Sequence, residues 1–251
     1  MTIKIAHLYY DLMNLYGENA NIRALKASFE RQNIDVEIHF LTIGDEINFE
    51  DYDIFYIGSG TEEYQLLVLE DLKKYKLEIK KAIEDNKYFF MTGNALELFG
   101  AYIIDFNKKQ INALNIFDYY TKVMDIENYT KEIKFRITGE VIFKSNLIDK
   151  LIIGFQNRCG TIYNVKSPLF SVIKGCGNFP NDINEGYTYK NFYGTYTIGP
   201  LFMRNPYLTE YFVKKILAEK GLPYSLIDTS SEIDAYNEYL NNFVVQTKIE
   251  E

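Results

Sequence analysis

Lys87-Tyr-Phe-Phe-Met-Thr-Gly-Asn-Ala-Leu-Glu-Leu-Phe-Gly100 is the stretch that decides the fold. Its apolar run, 88–91, reads as a buried strand, and the apolar spacing after Gly93 reads as a short helix. A strand that breaks sharply into a helix lifts the corner residue above the end of a sheet, the arrangement that presents a nucleophile. Thr92, Gly93 and Asn94 stand at this corner, and none is a cysteine or serine. The elbow has the shape for a reactive side chain and lacks one.

Working outward, residues 3–10 read as a first strand and 11–17 as a polar turn. Ile22, Leu25 and Phe29 share one face of a helix predicted over 21–32. Residues 35–41 alternate as a second strand, and 53–58 form a third that ends in Gly58-Ser59-Gly60. A long helix is predicted from there to about residue 86. Strands alternating with helices imply an α/β fold with a mostly parallel sheet, whose ligands gather beyond the carboxyl ends of the strands. Gly58-Ser59-Gly60 and Gly93-Asn94 both fall at such ends, so they should face one crevice.

From about 111 to 196 the pattern changes to short Ile-, Phe- and Tyr-rich runs, including 133–143 and 151–157, punctuated by turns such as Gly175-Cys-Gly-Asn178. This predicts a β-rich second half. Asn205-Pro206 is read as helix cap and first helical residue, with the helix ending at Gly221. Thr229-x-x-Glu232 reads as a capping box for a final helix whose Ile233, Tyr236, Leu240 and Phe243 share a face. The expected organisation is a single domain over 1–251 with a distal lobe.

The 251 residues carry a formal charge of -8, which leaves no cation excess to neutralise phosphates. Nucleic-acid binding and attraction to an anionic membrane are therefore not expected. Neither a bilayer-spanning apolar run nor a signal-peptide pattern is present, and the location expected is cytoplasmic. Cys159, Cys176, His7 and His39 are the whole supply of thiols and imidazoles. Any Cys-His catalytic pair must come from these four, whose scatter argues against a zinc site. Neither metal nor cofactor is expected, and the cysteines read as free thiols.

Four further stretches carry a family resemblance: residues 8–18 (Leu-Tyr-Tyr-Asp-Leu-Met-Asn-Leu-Tyr-Gly-Glu), 57–65 (Ile-Gly-Ser-Gly-Thr-Glu-Glu-Tyr-Gln), Gly154-Phe-Gln-Asn157, and Gly194-Thr-Tyr-Thr-Ile-Gly-Pro-Leu201 with Arg204-Asn-Pro206. In this order they resemble the GatD family, the glutaminase subunit of lipid II isoglutaminyl synthase, related to class I, cobyric-acid-synthase-like glutamine amidotransferases. The resemblance implies a flavodoxin-like α/β fold and a partner, a Mur-ligase-like, MurT-type subunit that activates a carboxylate with ATP.

The family's elbow has the form Cys-Gly-Gly-Tyr-Gln-x-x-Gly, and its base lies in Tyr-x-His-Gly-Pro-Leu. With Gly100 on the last elbow glycine, the resemblance places Gly93 at the nucleophile, Asn94 and Ala95 at the two glycines and Glu97 at the glutamine. With Gly199-Pro200 on the second motif, Ile198 falls at the base. Glycine cannot attack a carbonyl and isoleucine cannot carry a proton. These departures in two motifs imply a catalytically defective homologue, a scaffold or regulatory subunit in cell-wall peptidoglycan metabolism.

Alternatives remain at several residues. Cys159 lies after Gly154-Phe-Gln-Asn157 and is the best candidate for a displaced nucleophile, ahead of Thr92 and Cys176, as opposed to a small loop thiol. Gly58 and Gly60 fit either backbone donors to an oxyanion or a plain turn. Arg136 fits a substrate-contacting arginine, as the resemblance suggests, or a solvated strand residue. Glu97 fits a ligand for a cation or amine, or a carboxylate at a helix N-terminus. With Asn94, these residues would line a crevice open to a small-molecule ligand.

Overall fold

The computed structural model describes residues 1–123 and 136–248, with side chains not described over 243–248. Residues 133–135 of the stretch 133–143, predicted as strand, lie outside the described residues.

The parallel sheet is built from β1 (Thr2–Leu8), β2 (Asp35–Leu41), β3 (Ile54–Ile57), β4 (Tyr88–Thr92) and, far along the chain, Phe192–Thr195. Tyr187–Tyr189 adds an antiparallel edge. Its order places β1 between β2 and β3 and then runs through β4 to the late strands, so chain direction across the sheet reverses between β1 and β3. Such a switch point opens a crevice above the sheet.

Each strand feeds both faces because successive side chains alternate. On one side Ile3, Ile5, Tyr56 and Phe90 pack on Ile22, Leu25 and Phe29 of α1 (Asn19–Glu30). On the other, Phe55, Ile57, Phe89 and Met91 pack on Val68 and Leu69 of α2 (Glu62–Leu72) and on Ile79 and Ile83 of α3 (Lys76–Glu84). The long helix predicted to residue 86 is therefore two. A single 3-10 turn, Lys73–Tyr75, divides them, and Tyr75 leaves helical geometry at φ -104° and ψ 13°. The break keeps Leu72 and Ile79 both buried over a twisted sheet.

The β-rich second half comprises β5 (Tyr102–Ile104), β6 (Gln110–Asn112), β7 (Tyr120–Val123), β8 (Ile137–Ser145), β9 (Ile152–Arg158), β10 (Gly160–Tyr163), β11 (Phe170–Lys174), β12 (Asn184–Glu185), β13 (Tyr187–Tyr189) and β14 (Phe192–Thr195). Strands β5, β6, β7 and β10 make one four-stranded sheet, and β8, β9, β11 and β12 another. β9 is tied to the segment that follows β14 through mutual backbone bonds between Phe155 and Ile198.

α4 (Leu201–Arg204) leads into α5 (Pro206–Glu219), with Pro206 at its start as the sequence predicts. Asn205 does not cap α5 with its side chain. Its amide instead accepts from Ile153 N at 2.9 Å and donates to Ile153 O and Leu201 O, pinning β9 to the helices. α6 (Ser230–Lys248) buries Tyr236, whose hydroxyl donates to Leu151 O. Glu232 pairs with Arg31 at 2.7 Å instead of closing a capping box. None of the described helices is long and apolar enough to cross a membrane.

Candidate functional site

Four strand ends converge on the elbow: the turn after β1, Gly58-Ser59-Gly60 after β3, Gly93 after β4 and Tyr196–Gly199 after β14. Gly93 sits at φ +61°, the left-handed corner expected of an elbow. The turn that follows, Gly93–Phe99, is 3-10 and not the α-helix the spacing suggests. A Cβ placed on Gly93 would lie 2.5 Å from the Ser59 side chain and 3.1 Å from Ile198 Cγ2. The corner is thus walled by the two loops it faces.

Asn94 closes the next position. Its Oδ1 accepts from Gly60 N at 3.0 Å and from Ser59 Oγ, while its Nδ2 donates to Gly60 O at 3.0 Å. The Gly60 N–H, which the sequence offers as an oxyanion donor, is therefore held by an amide. Gly58 lies against Met13 O and Glu18, with no room for a side chain.

Under the elbow runs a buried polar network that sequence reasoning did not assign. Glu18, fully buried, accepts from the Tyr56 hydroxyl at 2.9 Å, Gly199 N at 3.1 Å and the Thr92 hydroxyl. One carboxylate thus ties the β1, β3, β4 and β14 ends together. Burial raises its pKa to about 7, against these hydrogen bonds. Glu97 accepts from Gln65 Nε2 at 2.8 Å and the Tyr196 hydroxyl at 3.0 Å, and burial likewise pushes it to about 7. Gly160 is required beside it, since an added Cβ would approach Glu97 Cδ to 2.7 Å. Arg158 stacks on Tyr196, 3.9 Å from the ring centroid, and donates to Gly160 O and Gly177 O. Glu185, also at about 7 through burial, accepts from Tyr196 N at 2.7 Å and Thr195 Oγ1 at 2.8 Å.

Gly58, Gly60, Asn94, Gly93 and Ile198 are thus gathered at one point, with Glu97 beneath them. Arg136 stands in a second cluster. Its guanidinium donates to Asn157 Oδ1 at 2.8 Å, Glu62 Oε1 at 3.1 Å and Cys159 Sγ at 3.2 Å. Of the residues missed, Glu18 had the clearest signal: a carboxylate just after the first strand's turn, at the mouth of a parallel sheet.

Cys159 and Cys176 are free thiols. Burial pushes Cys159 up to about 11 despite the adjacent Arg136. Neither imidazole serves it: His7 is buried in β1, and His39 Nδ1 bonds the Tyr52 hydroxyl at 3.0 Å. Iodoacetamide at pH 7.5 should therefore label native Cys159 on the order of 100-fold more slowly than a free cysteine, through its smaller thiolate fraction. Both thiols should label quickly in urea. Rapid native labelling mapped to Cys159 by mass spectrometry would show an activated thiol.

A flavodoxin-like parallel sheet carrying a strand-elbow unit at its carboxyl edge defines a glutamine amidotransferase-like domain, and the profile of the CobB/CobQ-like glutamine amidotransferase domain matches residues 4–206. Two curated relatives are subunit GatD of glutamine-hydrolysing lipid II isoglutaminyl synthase. That of Staphylococcus aureus (strain N315) is 33% identical over 93% of both chains. That of Streptococcus pneumoniae (strain ATCC BAA-255 / R6) is 30% identical over 87% of this chain and 82% of its own. A solved glutamine amidotransferase from Thermotoga maritima superposes with a TM-score of 0.48 at 12% identity, covering 88% of this chain and 86% of that one. The chain belongs to the GatD family of CobB/CobQ-like glutamine amidotransferases.

Proposed function

We propose that this chain is a catalytically defective GatD-type subunit of an amidating complex acting on lipid II, serving as scaffold or regulator of a cytoplasmic, Mur-ligase-like, MurT-type partner that uses ATP. The observation that carries the reading is the filled elbow: Ser59 and Ile198 occupy the space into which a side chain on Gly93 would project. It supports the reading, from the family resemblance, that Gly93 takes the nucleophile position and Ile198 the base position. Hydrolysis of glutamine's amide by this route needs a thiolate to attack the carbonyl and an imidazole to pass its proton to departing ammonia. Loss of such a unit costs on the order of a million-fold in turnover. The Asn94 amide also occupies the Gly60 donor that would stabilise the oxyanion.

The roles of Gly58, Gly60, Asn94 and Glu97 under this reading are structural, and Arg136 anchors Glu62 and Asn157. If the partner forms an amide, its nitrogen comes from free ammonia or another amine. The test is glutamate release from glutamine by the chain alone and with its co-purified partner, beside amide formation from ammonium. No glutamate release in either state, with ammonium-dependent amidation by the pair, is the expected result. Glutamate release at an ordinary enzymatic rate overturns the reading, and its loss in Cys159→Ser would identify a displaced nucleophile.

A further inference from the structure

His7 is fully buried, yet neither ring nitrogen has a hydrogen-bond partner. An orphaned buried polar group costs about 1–3 kcal/mol, and phenylalanine would fill the same strand position without that cost. His7 lines a cavity of about 230 Å³ with Tyr10, Asn19, Ile22, Arg23, Ile38 and Phe40. Asn19 Oδ1, in the same lining, is a second buried atom without a partner. Arg23 on its rim makes no ion pair among the described residues. The cavity lies at the carboxyl ends of β1 and β2, below the first turns of α1, on the edge of the sheet where α/β folds take ligands.

The lining specifies chemistry. Tyr10 and Phe40 meet edge-on with centroids 5.2 Å apart, and both are exposed at the mouth, at 37% and 53%. They form an aromatic wall for a flat ring. A neutral imidazole offers one donor and one acceptor, and burial holds His7 neutral by lowering its pKa to about 4. Arg23 supplies the positive charge for an anionic end. The volume falls below the range of about 300–1,000 Å³ that suits drug-sized ligands, which limits the occupant to a single-ring metabolite.

We propose that the His7 cavity is a binding site for a small aromatic monocarboxylate, its ring against Tyr10 and Phe40, its ring-edge polar group on His7 and its carboxylate on Arg23. The site is separate from the elbow and stands whether or not the chain hydrolyses glutamine. Tyr56 is the partition between the two: its ring lies edge-on to His7 at 5.2 Å, and its hydroxyl donates to Glu18.

The two histidines make a direct test possible, because His39→Gln assigns their ring resonances. 4-Hydroxybenzoate titrated into the 15N-labelled chain is expected to shift the His7 ring signals saturably, with Kd below about 1 mM, and to leave His39 unmoved. Arg23→Gln, a rim substitution, should weaken binding at least about tenfold, and His7→Phe should abolish it. Benzylamine, a cation of similar shape, should not bind. No saturable shift of His7 by the carboxylate, an equal response to benzylamine, or undiminished binding by Arg23→Gln would overturn the proposal.

Discussion

Glu18→Ala is expected to destabilise the fold by about 2–4 kcal/mol, a fall in Tm of about 5–15 °C for a chain of this size. The Tyr56 and Thr92 hydroxyls lie 2.8 Å apart and can bond each other once the carboxylate is gone, and Asn21 Nδ2 keeps Tyr56 at 2.8 Å. Gly199 N–H loses Glu18 as its acceptor, and a carboxymethyl-sized void opens between four strand ends. Glu18→Gln preserves volume and one acceptor oxygen, so it should cost less than half as much. Urea unfolding of both variants checks this. Midpoints within about 0.5 kcal/mol of the parent protein would show that Glu18 does not hold the elbow together.

Stability is expected to fall by about 2–5 kcal/mol between pH 5.5 and 8. Glu18, Glu97 and Glu185 are each raised by burial from 4.5 to about 7. Between those values the folded chain binds protons that the unfolded chain has released. Their contribution is complete below about 4.5 and is lost as pH rises through 7. His7 acts in the opposite sense. Lowered from 6.5 to about 4, its contribution is present above 6.5 and is lost as pH falls through 4. Three carboxylates outweigh one imidazole over this interval, so the net slope is downward. The exposed acids drawn below their ordinary values by partners, such as Glu50 and Glu232, change charge below the interval. Each of Glu18→Gln, Glu97→Gln and Glu185→Gln should flatten the slope, by about 1–2 kcal/mol across the interval. Glu97 and Glu185 share Arg158, so their double variant should depart from additivity. Urea midpoints at half-unit steps of pH would show this. A rising or flat profile in the parent protein would mean the three carboxylates are ionised in the fold.

Much of this architecture was legible in local pattern. The β1–β4 framework follows from apolar runs whose lengths and flanking turns admit little else, and Pro206 announces α5. The elbow was legible too, because a glycine at the break of a buried strand tolerates the left-handed corner. Local pattern failed where a side chain's partner comes from elsewhere in the chain. Asn205 has the form of a helix cap, yet it bonds Ile153, 52 residues away. Glu232 has the form of a capping-box acid and is taken by Arg31, 201 residues away. The break at Lys73–Tyr75 has no glycine or proline to announce it and follows from covering a twisted sheet.

The same division holds for the site. The amino-acid sequence by itself determined that Gly93 and Ile198 carry neither a nucleophile nor a proton-transferring group, because covalent identity is independent of conformation. Only the tertiary structure decided what surrounds the corner. Ser59, Asn94 and Ile198 close over the corner, Glu18 binds its four strand ends, and His7 is left unpaired beside a cavity. These arrangements depend on distances between segments far apart in sequence, and such distances are set when the sheet and its two helical layers pack.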